Sequence, residues 1–206
     1  MALSDNAIIK GKPIIWVMGP PGSGKGAQCE RLYVQYNFAH ISSGELIRKK
    51  VADDPVSYRE AFKLMSEGVP VPNEIATAIL AEGMKTAIEK EQCNGFLIDG
   101  FPLDEAQAAV FEEFIGQPSI IIFLGQINDI KLSERLKARS NFDDSKDSID
   151  KRIITFNEKT KPIMNKYKKQ LNNLNGDKSI EEVNADIKTI FGEFGIKECP
   201  KQCGLK

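Results

Sequence analysis

Arginine, histidine and tryptophan are scarce in these 206 residues: six arginines stand against twenty-two lysines, with one histidine, His40, and one tryptophan, Trp16. A formal net charge of -1, with acids and bases interspersed, gives no sustained positive field, which argues against a polymeric nucleic-acid partner. No apolar run is long enough to cross a membrane. The opening Met1-Ala2-Leu3-Ser4-Asp5-Asn6 lacks the basic flank and apolar stretch of a secretory leader, and Ala2 stands where N-myristoylation requires glycine. The expectation is a soluble, cytoplasmic monomer with no membrane partner. Four cysteines, Cys29, Cys93, Cys199 and Cys203, are too few and too scattered for a disulfide framework. The tail Cys199-Pro200-Lys201-Gln202-Cys203 has the outline of a metal clip without a second ligand pair, and reads as a frayed terminus with reduced thiols.

What the chain does carry is a phosphate loop. Gly19-Pro20-Pro21-Gly22-Ser23-Gly24-Lys25-Gly26 follows the apolar run Ile14-Ile15-Trp16-Val17-Met18. The glycines let successive backbone N–H groups turn inward on a polyphosphate, and Lys25 sets a cation beside it. Cys29, Leu32, Tyr33 and Tyr36 then recur at helical spacing, so a helix N-terminus faces the same anion. Gly22, Ser23, Gly24, Lys25, Gly26 and Ala27 are the expected ATP-binding residues, joined by Arg135.

Further short apolar runs, at 95–99 and 119–124, have the composition of strands buried on both faces of a parallel sheet, and helical patterns separate them. A weaker fifth strand is expected at 180–183, preceded by a long Lys-rich helix over about 153–174 and followed by a helix over 186–194. Asn172-Asn173-Leu174-Asn175-Gly176 reads as a loop. Alternating strands and helices give an α/β fold: a P-loop NTPase-type five-stranded parallel sheet flanked by helices, with a polar helical excursion at 42–72.

Asp99, at the end of the 95–99 run, holds the Walker-B type position, where a magnesium ion on a nucleotide takes a carboxylate through water. Arg48 follows Ser42-Ser43-Gly44-Glu45, while Arg135, Arg139 and Arg152 flank the acidic Asp143-Asp144-Ser145-Lys146-Asp147. Guanidinium grips phosphate as a bidentate fork where lysine is a point charge, so these placements point to phosphate handling. His40, ending an apparent strand, reads as structural. Asp143 and Asp144 are adjacent in one loop and so do not define opposed positions of a glycosidase pair; they are expected to pair with lid arginines.

Four ordered motifs, at 19–28, 42–48, 95–102 and 135–139, resemble the adenylate kinase family of nucleoside monophosphate kinases, and the likeness runs over about 14–194. The resemblance implies one domain with a core of 8–41, 73–137 and 149–195, an acceptor-binding insert at 42–72, a short lid at 138–148 and a tail at 196–206. It implies reversible transfer of the γ-phosphate of MgATP to AMP, giving two ADP. Lys25, Arg139 and Arg152 would be the catalytic cations. Ser43, Arg48, Val71, Gly100 and Gln107 would bind AMP, with Gln107 reading the adenine edge. Mg²⁺ is the implied cofactor, arriving as MgATP.

Three positions depart from the family pattern: Leu103 stands where an arginine usually follows the Phe-Pro pair, Ala27 replaces a threonine, and the lid is shortened with the loss of an arginine. A transition-state arginine is worth roughly 10³–10⁵ in rate. The alternatives are therefore a catalytically weak, nucleotide-binding regulatory protein, or a kinase for UMP, CMP or another monophosphate.

Overall fold

The computed structural model describes residues 11–127, 132, 135, 136 and 141–199. The strands β1 (Ile14–Met18), β2 (Phe38–Ser42), β3 (Gly95–Asp99), β4 (Ile120–Gly125) and β5 (Leu171–Asn175) form one parallel sheet in the order β2-β3-β1-β4-β5. Strand alternation sends Ile14, Trp16 and Met18 of β1 into one apolar layer, with Phe96, Ile98, Leu80 and Met84. It sends Ile15 and Val17 into the opposite layer, with Leu97, Ile122, Leu32, Ile187 and Phe191. Because both faces are covered, the central strands show no polar alternation. Full burial of each such isoleucine or leucine contributes roughly 1.5–3 kcal/mol. Trp16 is wholly buried, with its ring edge-on to Phe111 and Tyr167 at centroid distances of 5.7 and 5.1 Å.

Helices α1 (Lys25–Tyr36), α2 (Ser43–Asp53), α3 (Arg59–Ser66), α4 (Asn73–Glu91), α5 (Glu105–Phe114), α6 (Lys146–Thr155), α7 (Lys161–Lys166) and α8 (Ile180–Glu193) connect and cover the strands. A π-helical turn, Phe156–Thr160, joins α6 to α7. Ser42, Asp104 and Ser145 cap α2, α5 and α6 by accepting backbone N–H bonds. Between β2 and α4, α2 and α3 gather Ile47, Val51, Ala61 and Val71 around Ile79 of α4, a small apolar cluster separate from those of the sheet. The carboxyl ends of β1 and β4 open on a crevice from which one connection leads towards β2 and the other towards β5, the place where open α/β sheets receive ligands.

The C-terminal third corrects the sequence reading. The fifth strand is Leu171–Asn175, the Asn-rich segment expected to be a loop, whereas 180–183 is the first turn of α8. An edge strand pairs on one side only, so asparagines are tolerated there. Asn172 in addition donates its side-chain amide to the carbonyl of Gln170 at 3.0 Å. Ser179 and Glu182 form a reciprocal capping box at the start of α8, a sequence signal that Ile180 and Val183 obscured. The expected long helix over 153–174 is instead α6, the π-turn and α7, ending at Lys166.

Candidate functional site

The phosphate loop leaves β1 and turns sharply at Gly19, where any Cβ would stand 2.5 Å from the carbonyl oxygen of Leu124. That close approach to β4 excludes every other residue. Gly22, at φ 82°, would likewise drive a Cβ to 2.9 Å from the carbonyl of Leu132. Helix α1 begins after a left-handed Gly24 with no side-chain cap and no acid in its first turn. Its first N–H groups are therefore not matched by a side-chain anion, which is the arrangement that suits a bound one. Lys25 folds back over the loop, its Nζ donating to the carbonyls of Gly19 and Pro20, each at 2.9 Å. A polyphosphate entering the loop would exchange those bonds for charge-assisted ones. Arg135 lies against the loop, its Nη1 donating to the carbonyl of Gly22 at 3.4 Å.

Across the crevice, α2 carries Arg48 and the turn before α6 carries two buried carboxylates. Arg48 Nη1 donates to Asp143 Oδ2 at 3.1 Å and Oδ1 at 3.3 Å. Arg152, on α6, donates through Nη2 to Asp144 Oδ1 at 2.7 Å and to the backbone carbonyl of Asp143 at 2.8 Å. The partners among the described residues are thus Arg48 and Arg152, both outside the 138–148 segment whose arginines were expected, and Asp143 ties the two together. Arg152 Nε is buried with no hydrogen-bond partner among the described residues, a donor left for a ligand. A second link spans the same two segments: Phe62 of α3 stacks on Phe142 at a centroid distance of 4.9 Å.

A cavity of about 210 Å³ lies between these two sides, lined by Lys25, Ser43, Arg48, Val71, Asp99, Gly100, Leu103 and Arg152 among others. It is smaller than an ordinary ligand pocket of about 300 Å³ or more. The Arg48–Asp143 ion pair is part of its wall. The hydroxyl of Ser43 donates to the carbonyl of Gly100 at 3.2 Å. Leu103, which borders the cavity, is fixed by its backbone: its carbonyl accepts from Thr160 Oγ1 at 2.7 Å and its N–H donates to Gln107 Oε1 at 2.9 Å.

Asp99, at the end of β3, faces His40 of β2, with His40 Nε2 3.2 Å from Asp99 Oδ2. Burial pulls the imidazole pKa down, but the hydrogen bond and the charge of Asp99 outweigh it, leaving His40 raised above its ordinary value. Beneath them Cys29 of α1 is fully buried, and desolvation, with the charge of Asp99, raises its thiol well above the usual range. Asp99 Oδ2 also lies 3.7 Å from where a Cβ on Gly26 would stand, so the carboxylate borders the phosphate loop. One carboxylate oxygen, with no hydroxyl at Ala27, suits a magnesium ion held chiefly by phosphates and water.

The structure therefore draws Lys25, Ser43, Arg48, Val71, Asp99, Gly100 and Arg152 onto one cavity. Arg139 lies outside the described residues. Gln107 is 1 % exposed, and its amide is shared between Leu103 and the carbonyl of Val71, to which Nε2 donates at 3.3 Å. Sequence reasoning had no means of finding the Phe62–Phe142 stack, because 80 residues separate its halves. It read His40 as structural, and the residue is in fact the hydrogen-bond partner of Asp99.

A family model described as adenylate kinase matches residues 17–172. Adenylate kinase 1 of Schistosoma mansoni is 34 % identical over 95 % of this chain and all of its own length. Adenylate kinase of Prochlorococcus marinus is 36 % identical over 83 % of this chain and 94 % of its own. The UMP-CMP kinase of Rattus norvegicus is 34 % identical over 88 % and 98 %.

Proposed function

The chain belongs to the adenylate kinase family of nucleoside monophosphate kinases, and from that premise we propose that it moves the γ-phosphate of MgATP reversibly onto AMP, giving two ADP. The observation that carries the reading is the convergence of Lys25, Arg48 and Arg152 on one cavity at the carboxyl edge of the sheet. Phosphoryl transfer needs positioning and charge neutralisation more than covalent help from the protein, and these three cations supply both.

In this reading the phosphate loop, residues 22–27, holds the β- and γ-phosphates of ATP, with Arg135 alongside. Lys25 leaves the carbonyls of Gly19 and Pro20 for the transferring oxygens. Arg48 leaves Asp143 and grips the acceptor phosphate, while Ser43, Val71, Gly100 and Gln107 line the acceptor nucleoside. Arg152, with its unpartnered Nε, and Arg139 neutralise the migrating group. Asp99 would hold, through water, the magnesium that accompanies the nucleotide, and that ion would supply charge neutralisation to the phosphates. Segments 42–72 and 138–148 act as acceptor insert and lid on the core. Closure of the two excludes water, which would otherwise intercept the phosphoryl group. Among the described residues no helix is long and apolar enough to cross a membrane, and a cytoplasmic monomer is the setting we assign.

A second acceptor class has support in the structure. The Gln107 amide meant to read adenine is bonded at both ends to backbone, and the rat UMP-CMP kinase is as similar as the schistosome adenylate kinase. The test is Mg²⁺-dependent ADP formation from ATP with AMP, UMP, CMP and GMP in turn, with Lys25→Ala beside it. Highest turnover with AMP, lost in the variant, is expected. UMP or CMP exceeding AMP would move the acceptor. ATP binding with no turnover on any monophosphate would select the regulatory alternative.

A further inference from the structure

Behind the phosphate loop, three side chains from three elements converge: Cys29 on α1, His40 on β2 and Asp99 on β3. Their ligand atoms, a thiol sulfur, an imidazole nitrogen and a carboxylate oxygen, all lie within 4.8 Å of one another. Cys29 is fully buried, while the His40 and Asp99 side chains are 15 % and 12 % exposed, so the group is inside the fold yet open towards the loop. We infer that this trio is a binding site for a zinc-like divalent transition metal, distinct in chemistry from the magnesium that accompanies the nucleotide.

The geometry needs little adjustment. Tetrahedral zinc bonds nitrogen and oxygen at about 2.0–2.1 Å, which places those two ligand atoms roughly 3.3 Å apart. His40 Nε2 and Asp99 Oδ2 already stand 3.2 Å apart. A zinc–sulfur bond of about 2.3 Å asks Sγ to sit roughly 3.5 Å from both, a shift of up to about 1.3 Å from the 4.8 Å within which the three ligand atoms lie. Sulfur and imidazole select zinc, cobalt or nickel over magnesium, which takes oxygen. Three protein ligands leave a fourth position for water, on the side that faces the loop. On binding, the thiol loses its proton to solvent and the hydrogen bond between His40 and Asp99 gives way to two metal bonds. Asp99 is then held away from the water shell of MgATP, so the metal acts as a brake on phosphoryl transfer.

The experiment is a cobalt(II) titration of the full-length protein, followed by the near-ultraviolet thiolate-to-cobalt charge-transfer band and the visible bands of four-coordinate cobalt. A single equivalent is expected, competed off by zinc and indifferent to a large excess of magnesium. Cys29→Ser and Cys29→Ala, each checked for fold by circular dichroism, lose the charge-transfer band. His40→Gln weakens binding more than about 100-fold, since removal of an outer-shell partner alone costs 10–100-fold. The double variant Cys199→Ser, Cys203→Ser keeps the band. Absence of the band in the parent protein, its survival in the folded Cys29 variants, its loss with the tail cysteines, or affinity unchanged in His40→Gln each overturns the site. Because the readout is spectroscopic, the outcome stands whether or not AMP proves to be the acceptor. Where turnover is present, zinc inhibits it in the parent and not in Cys29→Ser.

Discussion

The two walls of the crevice are built in opposite ways. The phosphate loop is a contiguous run of sequence whose shape is set by backbone: Gly19 packs against the Leu124 carbonyl, and Lys25 is held by two loop carbonyls. The facing wall is assembled from side chains far apart in the chain, Arg48 with Asp143 and Phe62 with Phe142, and Leu103 borders the cavity beside them. In the proposed reaction, ground-state grip on ATP would rest on the first wall and organisation of the transfer on the second. The two are separable because binding energy and transition-state stabilisation are separable. The severest break in the comparison is Lys25→Ala, which removes the loop cation proposed to meet the transferring phosphate. We expect kcat to fall about 10³-fold, the size seen when a preorganised donor is lost, with ATP binding weakened far less. A coupled ADP assay set against ATP titration by calorimetry measures both.

Leu103→Arg works from the opposite wall. Leu103 borders the cavity and its backbone is fixed at both its N–H and its carbonyl, so a longer side chain there extends from a rigid base. A charge-assisted hydrogen bond contributes about 1.5–3 kcal/mol. The variant should therefore raise kcat/KM for the acceptor about 10- to 100-fold and leave the KM for ATP nearly unchanged. Steady-state kinetics with each substrate varied in turn decides it, and an unchanged acceptor kcat/KM would mean that another cation already fills the place.

Asp143→Asn tests the ion triad itself. The carboxylate is 4 % exposed and faces two arginines whose side chains are 16 % and 23 % exposed. Breaking a well-buried pair costs about 3–5 kcal/mol, and the partial exposure of the arginines brings the expected loss nearer to about 2 kcal/mol. For a chain of this size that is a fall in Tm of about 4–8 °C. Arg48 is at the same time released from its competitor, so the acceptor KM should drop about 5-fold, equivalent to about 1 kcal/mol. Stability and acceptor affinity moving in opposite directions, read by thermal melts and by kinetics, is the signature; a KM that rises would show Asp143 to be needed for closure instead.

The same contrast governs what the sequence disclosed. The phosphate loop, Asp99 and the buried strands β1, β3 and β4 are local patterns, each legible because its residues are neighbours. β5 was not legible, because an edge strand with Asn172, Asn173 and Asn175 owes its existence to pairing with β4 and not to its own apolar content. The start of α8 was misjudged because two apolar residues outweighed the Ser179–Glu182 capping box beside them. On the acceptor side, Arg48 and Asp143 were each visible, but their pairing over 95 residues was not. Neither could periodicity reveal that Gln107, placed at the adenine edge by resemblance, lends its amide to Leu103 and Val71.

The smallest effect is expected at the aromatic stack. Phe62 and Phe142 are each about half exposed, at 45 % and 46 %, so neither is placed by burial in a core. Their stacking at 4.9 Å joins α3 to the turn that precedes α6 without any charge. An aromatic pair contributes about 0.5–1.5 kcal/mol beyond its area. If the stack holds the two segments together, Phe62→Ala and Phe142→Ala should each destabilise the fold by about 1 kcal/mol. The double variant should show a coupling of about the same size in a thermodynamic cycle. Coupling near zero would leave the Arg48–Asp143 pair as the connection that matters between the two segments, and would return the weight of the acceptor wall to electrostatics.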